Sequence, residues 1–260
     1  MATAEGLSSR LAARLRRLWT QAQVYFYYTG RPRLLNPISY LRRASERRAL
    51  AQLKSREPLW RCLEELRRRS QSTGAQYADY WALYETITRE RFHRVLECGS
   101  GLTTAVIALA LKEVQRASGR PVLCVSMEED TAYHRNIVAI FPDELRDVVD
   151  FRLSERIERP YGRRLGCCYR RIPEHPYEFM FIDGPTLRRG PGAPKCFNAD
   201  LINVLASSRG PLLALIDQRV GTLWALKELL PGCEARYDVV RSQGWNRARP
   251  AGGPALLPGG

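Results

Sequence analysis

The stretch Arg94-Val-Leu-Glu-Cys-Gly-Ser-Gly-Leu-Thr-Thr104 joins an apolar run to a carboxylate and two closely spaced glycines. This pattern predicts a strand ending near Glu97, a sharp turn through Gly99, Ser100 and Gly101, and a helix entered near Thr103. Glycines at such a turn let the backbone reverse and let a ligand approach with no Cβ in the way. Dinucleotide-binding turns carry a third glycine for close helix packing beneath a pyrophosphate; here that residue is Thr104, which lowers the dinucleotide reading without excluding it. A second apolar run ends in Val125-Ser-Met-Glu-Glu-Asp130. A carboxylate at that point can accept hydrogen bonds from both hydroxyls of a ribose, and Glu128 is the first choice, Glu129 the next. The competing reading is that these acids sit at a helix start and favour its positive end. Two further runs, Tyr177-Glu-Phe-Met-Phe-Ile-Asp-Gly-Pro185 and Leu215-Ile-Asp-Gln-Arg219, deliver Asp183 and Asp217. Four strands thus each place an acid at the edge where open α/β sheets bind ligands.

The elements that must hold these residues alternate from Arg94 onward. Strands are expected at 95–98, 122–127, 148–153, 179–183, 212–217 and 237–241, with helices at 103–117, 129–141, 197–207 and 221–230. That alternation predicts an α/β fold, a doubly wound, mostly parallel Rossmann-like sheet with helices on both faces. Upstream, Asn36-Pro37 and Pro58 each offer a helix start, and Gln76 to Glu90 carries Tyr77, Tyr80, Trp81, Tyr84 and Ile87 at helical spacing. The expected organisation is a basic helical N-terminal extension over residues 1–75, the sheet-bearing domain over 76–242, and a Gly/Pro-rich tail over 243–260 that offers little to bury.

The formal charge is +14, from 41 Lys and Arg against 27 Asp and Glu. It would concentrate anionic partners, yet almost all of it is arginine, which a compositional bias also produces; nucleic-acid binding is not supported beyond net charge. Residues 6–45 contain no acid, and Leu7, Leu11, Leu15 and Leu18 at helical spacing lead into an aromatic cluster at Trp19 and 25–28. Such an arm docks on the main domain, lies on an anionic membrane surface, or serves as a targeting segment. Seven cysteines without a C-x-x-C pair point to free thiols in a reducing, cytoplasmic setting, with peripheral membrane association left open. No stretch is long and apolar enough to read as a membrane span.

Taken in order, Val95-Leu-Glu-Cys-Gly-Ser-Gly, Val125-Ser-Met-Glu, Phe181-Ile-Asp-Gly-Pro and Ile216-Asp-Gln-Arg resemble the motifs of the class I S-adenosylmethionine-dependent methyltransferases, over roughly residues 76–242. The resemblance implies that Glu97, Gly99, Ser100 and Gly101 line the methionine end of S-adenosylmethionine, that Glu128 holds the ribose, and that Ser154 or Glu155 lies near the adenine. It implies methyl transfer, to oxygen in the first instance, with Asp183 or Asp217 near a small-molecule, glycan or lipid-linked acceptor. A divalent metal at this edge is open but less favoured than Asp183 acting alone as general base or cofactor contact, with Asp217 paired to Arg219. The alternative is a non-catalytic relative anchored to a membrane or partner by its basic arm. The family fold ends in an antiparallel hairpin, of which only residues 237–241 qualify clearly in this sequence.

Overall fold

The computed structural model describes residues 37–70, 76–208 and 210–250. The arm expected over residues 6–45 therefore lies largely outside the described residues. Its described end opens helix α1 (Pro37–Ser55), which is followed by α2 (Glu57–Arg69) and α3 (Tyr77–Glu90). In α2 the residues Leu59, Leu63 and Leu66 fall on one face and are buried, while the exposed face carries i,i+4 pairs such as Arg61–Glu57. Burial of that leucine stripe holds the helix, since exposed pairs of this kind contribute little.

The sheet-bearing part runs β1 (Arg94–Cys98), α4 (Leu102–Ser118), β2 (Leu123–Glu128), α5 (Thr131–Ile140), a 3₁₀ turn (Asp143–Val148) and β3 (Val149–Leu153). It continues through β4 (Arg156–Tyr161), β5 (Arg164–Tyr169), β6 (Phe179–Ile182), β7 (Phe197–Asn198) and α6 (Asp200–Ser207). The last elements are β8 (Leu212–Asp217), α7 (Val220–Leu229), β9 (Glu234–Asp238) and β10 (Gln243–Ala248). Seven strands form one sheet in the order β3-β2-β1-β6-β8-β10-β9, parallel from β3 to β8, with β10 antiparallel to both neighbours. The strands alternate between two cores, as a sheet covered on both faces requires. Val95, Phe179 and Phe181 face the core shared with α1 to α5, whereas Leu96, Met180 and Ile182 face the core closed by α6 and α7. The expected doubly wound sheet is thus present.

Three expectations are corrected. The sheet does not end at residue 242: residues 243–248 form β10, inserted between β8 and β9, so the antiparallel hairpin is complete. Apart from Trp245, its segment Gln243-Gly-Trp-Asn-Arg-Ala248 is polar or small, and its neighbours supply the apolar cover: Gly244 packs against the Leu223 side chain, and Gln243 and Asn246 are buried. The last strand expected at 237–241 is β9 at Glu234–Asp238. A second sheet of order β4-β5-β7 was not anticipated, and its β7 takes the first residues of the helix expected from Phe197. No described helix is long and apolar enough to cross a membrane.

Because β10 is a central strand, a chain ending at residue 242 should lose cooperative thermal unfolding followed by far-UV circular dichroism. A truncated chain with the midpoint of the full chain would contradict the placement of β10.

Candidate functional site

The strand order reverses at β1, which has β2 on one side and β6 on the other. At this switch point the carboxyl ends of the strands open into a crevice, the usual ligand site of such sheets. A cleft of about 420 Å³ lies there, lined by the Gly99–Thr103 turn, Glu128 to Asp130, Asp183 and Gly184, with Tyr80, Tyr133 and Thr186 completing it.

The floor of the cleft is a backbone crossing. Asp183 N–H donates to the Cys98 carbonyl at 2.9 Å, and Gly184 N–H donates to the same oxygen. A Cβ on Gly99 would lie 2.9 Å from Gly184 N, and one on Gly184 would lie 2.5 Å from Tyr169 Oη and 2.7 Å from Gly99 N. Gly99 also has φ +101°, a region side chains avoid. Gly101, by contrast, is extended at φ 179°, so the conformational demand falls on Gly99.

Glu97 does not line the cleft. It is 0% exposed and lies beneath the turn, accepting hydrogen bonds at 2.6 Å from the hydroxyls of Thr103, Thr104 and Ser126. Burial favours the acid form and the three donors favour the carboxylate; burial dominates and pushes its pKa up to about 7. Thr104 Oγ1 in turn accepts from Gly101 N–H at 3.0 Å, so Glu97 ties the turn to the first turn of α4. The position read as a missing third glycine is a link in this network.

The three acids after β2 divide their work. Asp130 caps α5, its Oδ1 accepting from the N–H groups of Ala132 and Tyr133 at 2.7 and 3.0 Å. Glu129 spans the cleft, accepting from Thr186 N–H at 2.6 Å and Thr186 Oγ1 at 2.7 Å. Glu128 faces the cleft and accepts from Ser100 N–H at 3.2 Å and from the N–H groups of Glu129 and Asp130 at 2.9 Å. Burial raises its pKa to about 7 against these donors. The helix-start reading of the acid run holds for Asp130, while Glu128 is the acid that faces the cleft.

Asp183 stands at the mouth of the cleft, its side chain 45% exposed, with Arg219 Nη2 at 3.5 Å. Desolvation raises its pKa and Arg219 pulls it back. The pairing expected between Asp217 and Arg219 is not made: Arg219 donates to Asp183 and, at 2.7 Å, to the Pro185 carbonyl. The intervening Gln218 has φ +47°, which turns the chain between the two residues. Asp217 is buried behind the cleft and does not line it. Ser154 is also displaced: its N–H donates to the Glu128 carbonyl at 2.8 Å, but its side chain lines a neighbouring groove with Arg152, Arg170 and Arg171. The chain leaves for β4 two residues later, which carries this segment away from the cleft. Among the described residues no group of three His, Cys, Asp or Glu could hold a metal ion.

Tyr80, Tyr133 and Thr186 were not legible as lining residues. Tyr80 reads as one aromatic in a core-facing helix, and Thr186 as part of a loop after a Gly-Pro pair.

No protein-family profile matches the sequence, and no curated protein matches it. Solved structures similar to the chain include the O-methyltransferase TomG from Streptomyces achromogenes in complex with SAM, at 13% identity over 75% of this chain and 90% of that one, TM-score 0.44. Others are the O-methyltransferase from Bacillus cereus in complex with SAH, at 15% identity over 89% and 98%, TM-score 0.42, and the SAH-bound methyltransferase PaMTH1 of Podospora anserina, at 14% over 74% and 88%, TM-score 0.44. With TM-scores below 0.5 these similarities carry no functional argument.

The crossing makes Gly184→Ala a damaging substitution at the site. It should destabilise the protein by about 1 to 3 kcal/mol in denaturant unfolding, because backbone and a buried tyrosine must shift. The same change at Gly190, where a Cβ meets nothing within 4 Å, serves as the control. Equal effects at both positions would refute the crossing.

Proposed function

We propose that this chain is an S-adenosylmethionine-dependent methyltransferase acting on a hydroxyl acceptor. The observation that carries the reading is the chemistry of the cleft: a side-chain-free backbone crossing at the switch point, lined by Glu128, Glu129 and Asp183. Carboxylates facing a cleft repel a pyrophosphate and suit a ligand rich in hydroxyl donors and positive charge. A nicotinamide dinucleotide fits that lining poorly, and an adenosyl sulfonium fits it well.

When bound, S-adenosylmethionine supplies a methyl group on an electrophilic sulfonium. The chain's own residues then have three tasks. Gly99, Ser100 and Gly101, with the first N–H groups of α4, receive the methionine end, a helix start being suited to its carboxylate. Glu97 acts from beneath, holding that turn through Thr103 and Thr104. Glu128 accepts from the ribose hydroxyls, its position fixed by Ser100, Glu129 and Asp130. Asp183, half exposed at the mouth and oriented by Arg219, would take up the proton of the acceptor hydroxyl. The acceptor class is a small molecule, a glycan or a lipid-linked hydroxyl.

Calorimetric titration tests the reading. S-adenosylmethionine and S-adenosylhomocysteine should bind, with NAD at least tenfold weaker. Glu128→Ala should cost about 1 to 3 kcal/mol of affinity, because the ribose hydroxyls lose their acceptor. Absence of binding, or equal affinity for NAD, would overturn the assignment.

A further inference from the structure

In a chain with 41 basic residues, two neighbouring aspartates are buried with no ion pair among the described residues. Asp79 of α3 is 1% exposed and Asp217, at the end of β8, is 5% exposed. Asp79 accepts from Gln76 N–H at 2.9 Å and from Gln243 Nε2 at 2.7 Å, and Gln243 is the cross-strand partner of Asp217. Asp217 Oδ1 and Gln243 Oε1 are both buried acceptors with no hydrogen-bond partner. Among the described residues, neither aspartate forms an ion pair with an arginine or lysine.

The groups on the surrounding elements relieve this only in part, Arg219 and Gln218 drawing Asp217 down against the larger effect of burial. From α1, Arg42 bonds the Val239 and Val240 carbonyls and the Ser242 hydroxyl, while Glu46 accepts from the N–H groups of Tyr77 and Ala78 and adds negative charge. From the end of β6, Asp183 adds another negative charge. Arg219, beyond β8, is hydrogen-bonded to Asp183 and Pro185, and Gln218 and Gln243 are neutral. Two neighbouring buried carboxyls cannot both ionise cheaply, and a proton on one supplies the donor that the orphaned acceptors lack.

We propose that Asp79 and Asp217 share a single proton near neutral pH, and that releasing it places a second negative charge behind Asp183, tipping the cleft toward a cationic ligand. This rests on the methyltransferase reading, since it concerns how the site tells the charged cofactor from its neutral product. Burial, with Glu46 and Asp183 adding to it, pushes Asp79 to about 6, and burial, with Asp79 and Asp183 adding to it, pushes Asp217 to about 8, so the pair passes from one negative charge to two as pH rises through about 8. Asp183 couples to both, which makes the pair positioning residues acting through the group at the mouth.

S-adenosylmethionine carries a sulfonium, and S-adenosylhomocysteine is the same molecule with a neutral thioether and no methyl. The ratio of their affinities, measured by calorimetry from pH 6.5 to 9, should shift roughly threefold toward the sulfonium in the wild-type protein, as one added charge at moderate distance requires. The ligands' own ionisations are common to all variants. In Asp217→Asn, which keeps the shape of the protonated form, the added shift should vanish, and Asp79→Asn gives a second, independent variant. Carbon-13 NMR of aspartate carboxyls should show, besides the buried Asp200, which burial pushes to about 7, two carboxyls titrating above pH 5.5 in the unaltered protein, one of which is lost in each variant. A pH dependence of the ratio identical in wild type and both variants, or variants that remove no titration above pH 5.5, overturns the proposal. If neither ligand binds at any pH, the methyltransferase reading fails, while the carboxyl titration still decides whether the proton is shared.

Discussion

The site depends on how closely two strand ends approach. The Cys98 carbonyl accepts from both Asp183 and Gly184, and that shared acceptor draws the β6 exit against the β1 turn until Gly99 and Gly184 leave no room for a Cβ on either. Asn198 of the small sheet donates to the Gly184 carbonyl, and Glu129 bonds Thr186, so the β6 exit is tied from both sides. The acids on the two strand ends inherit their positions from this crossing. Glu128 is set by Ser100 within the turn, and Asp183 is set by the backbone hydrogen bond it makes to Cys98.

A second constraint is electrostatic. Carboxyls collect at the carboxyl edge of the sheet, where Glu97, Glu128 and Asp217 are buried, and desolvation raises all three. Each is treated differently. Glu97 has three hydroxyl donors, Glu128 has three backbone donors, and Asp217 has an unpartnered oxygen. Arg219 makes its ion pair with Asp183, the acid at the solvent boundary, where such a pair needs least desolvation. The basic excess of the sequence is therefore no guide to the charge of its cleft.

Legibility followed burial pattern. The parallel strands were readable because apolar runs with acids at their ends have few other fates, and β1, β2, β6 and β8 fall within a residue or two of their expected places. Strand β10 was missed because its buried residues are Gln243, Gly244, Asn246 and Ala248, polar or small, with Trp245 the one large apolar side chain and cover supplied by α7 and the flanking strands. The hairpin of β4 and β5 was missed because Arg156 to Tyr169 is dense in arginine, although Arg156 itself is buried on Glu158 and the Thr186 carbonyl. At the site, the residues on strand ends were found by sequence order, whereas Tyr80 and Thr186 arrive from a distant helix and a loop. The partner of Arg219 was misassigned because spacing along the chain cannot reveal the left-handed turn at Gln218.

The position that a bound adenosyl ligand takes in the cleft is the most direct test of the proposed site. A crystal structure of the protein with S-adenosylhomocysteine should place both ribose hydroxyls within hydrogen-bond distance of Glu128 and the ligand's backbone across the Gly99–Gly184 crossing. Ligand density away from that crossing, or a ribose out of reach of Glu128, would contradict it.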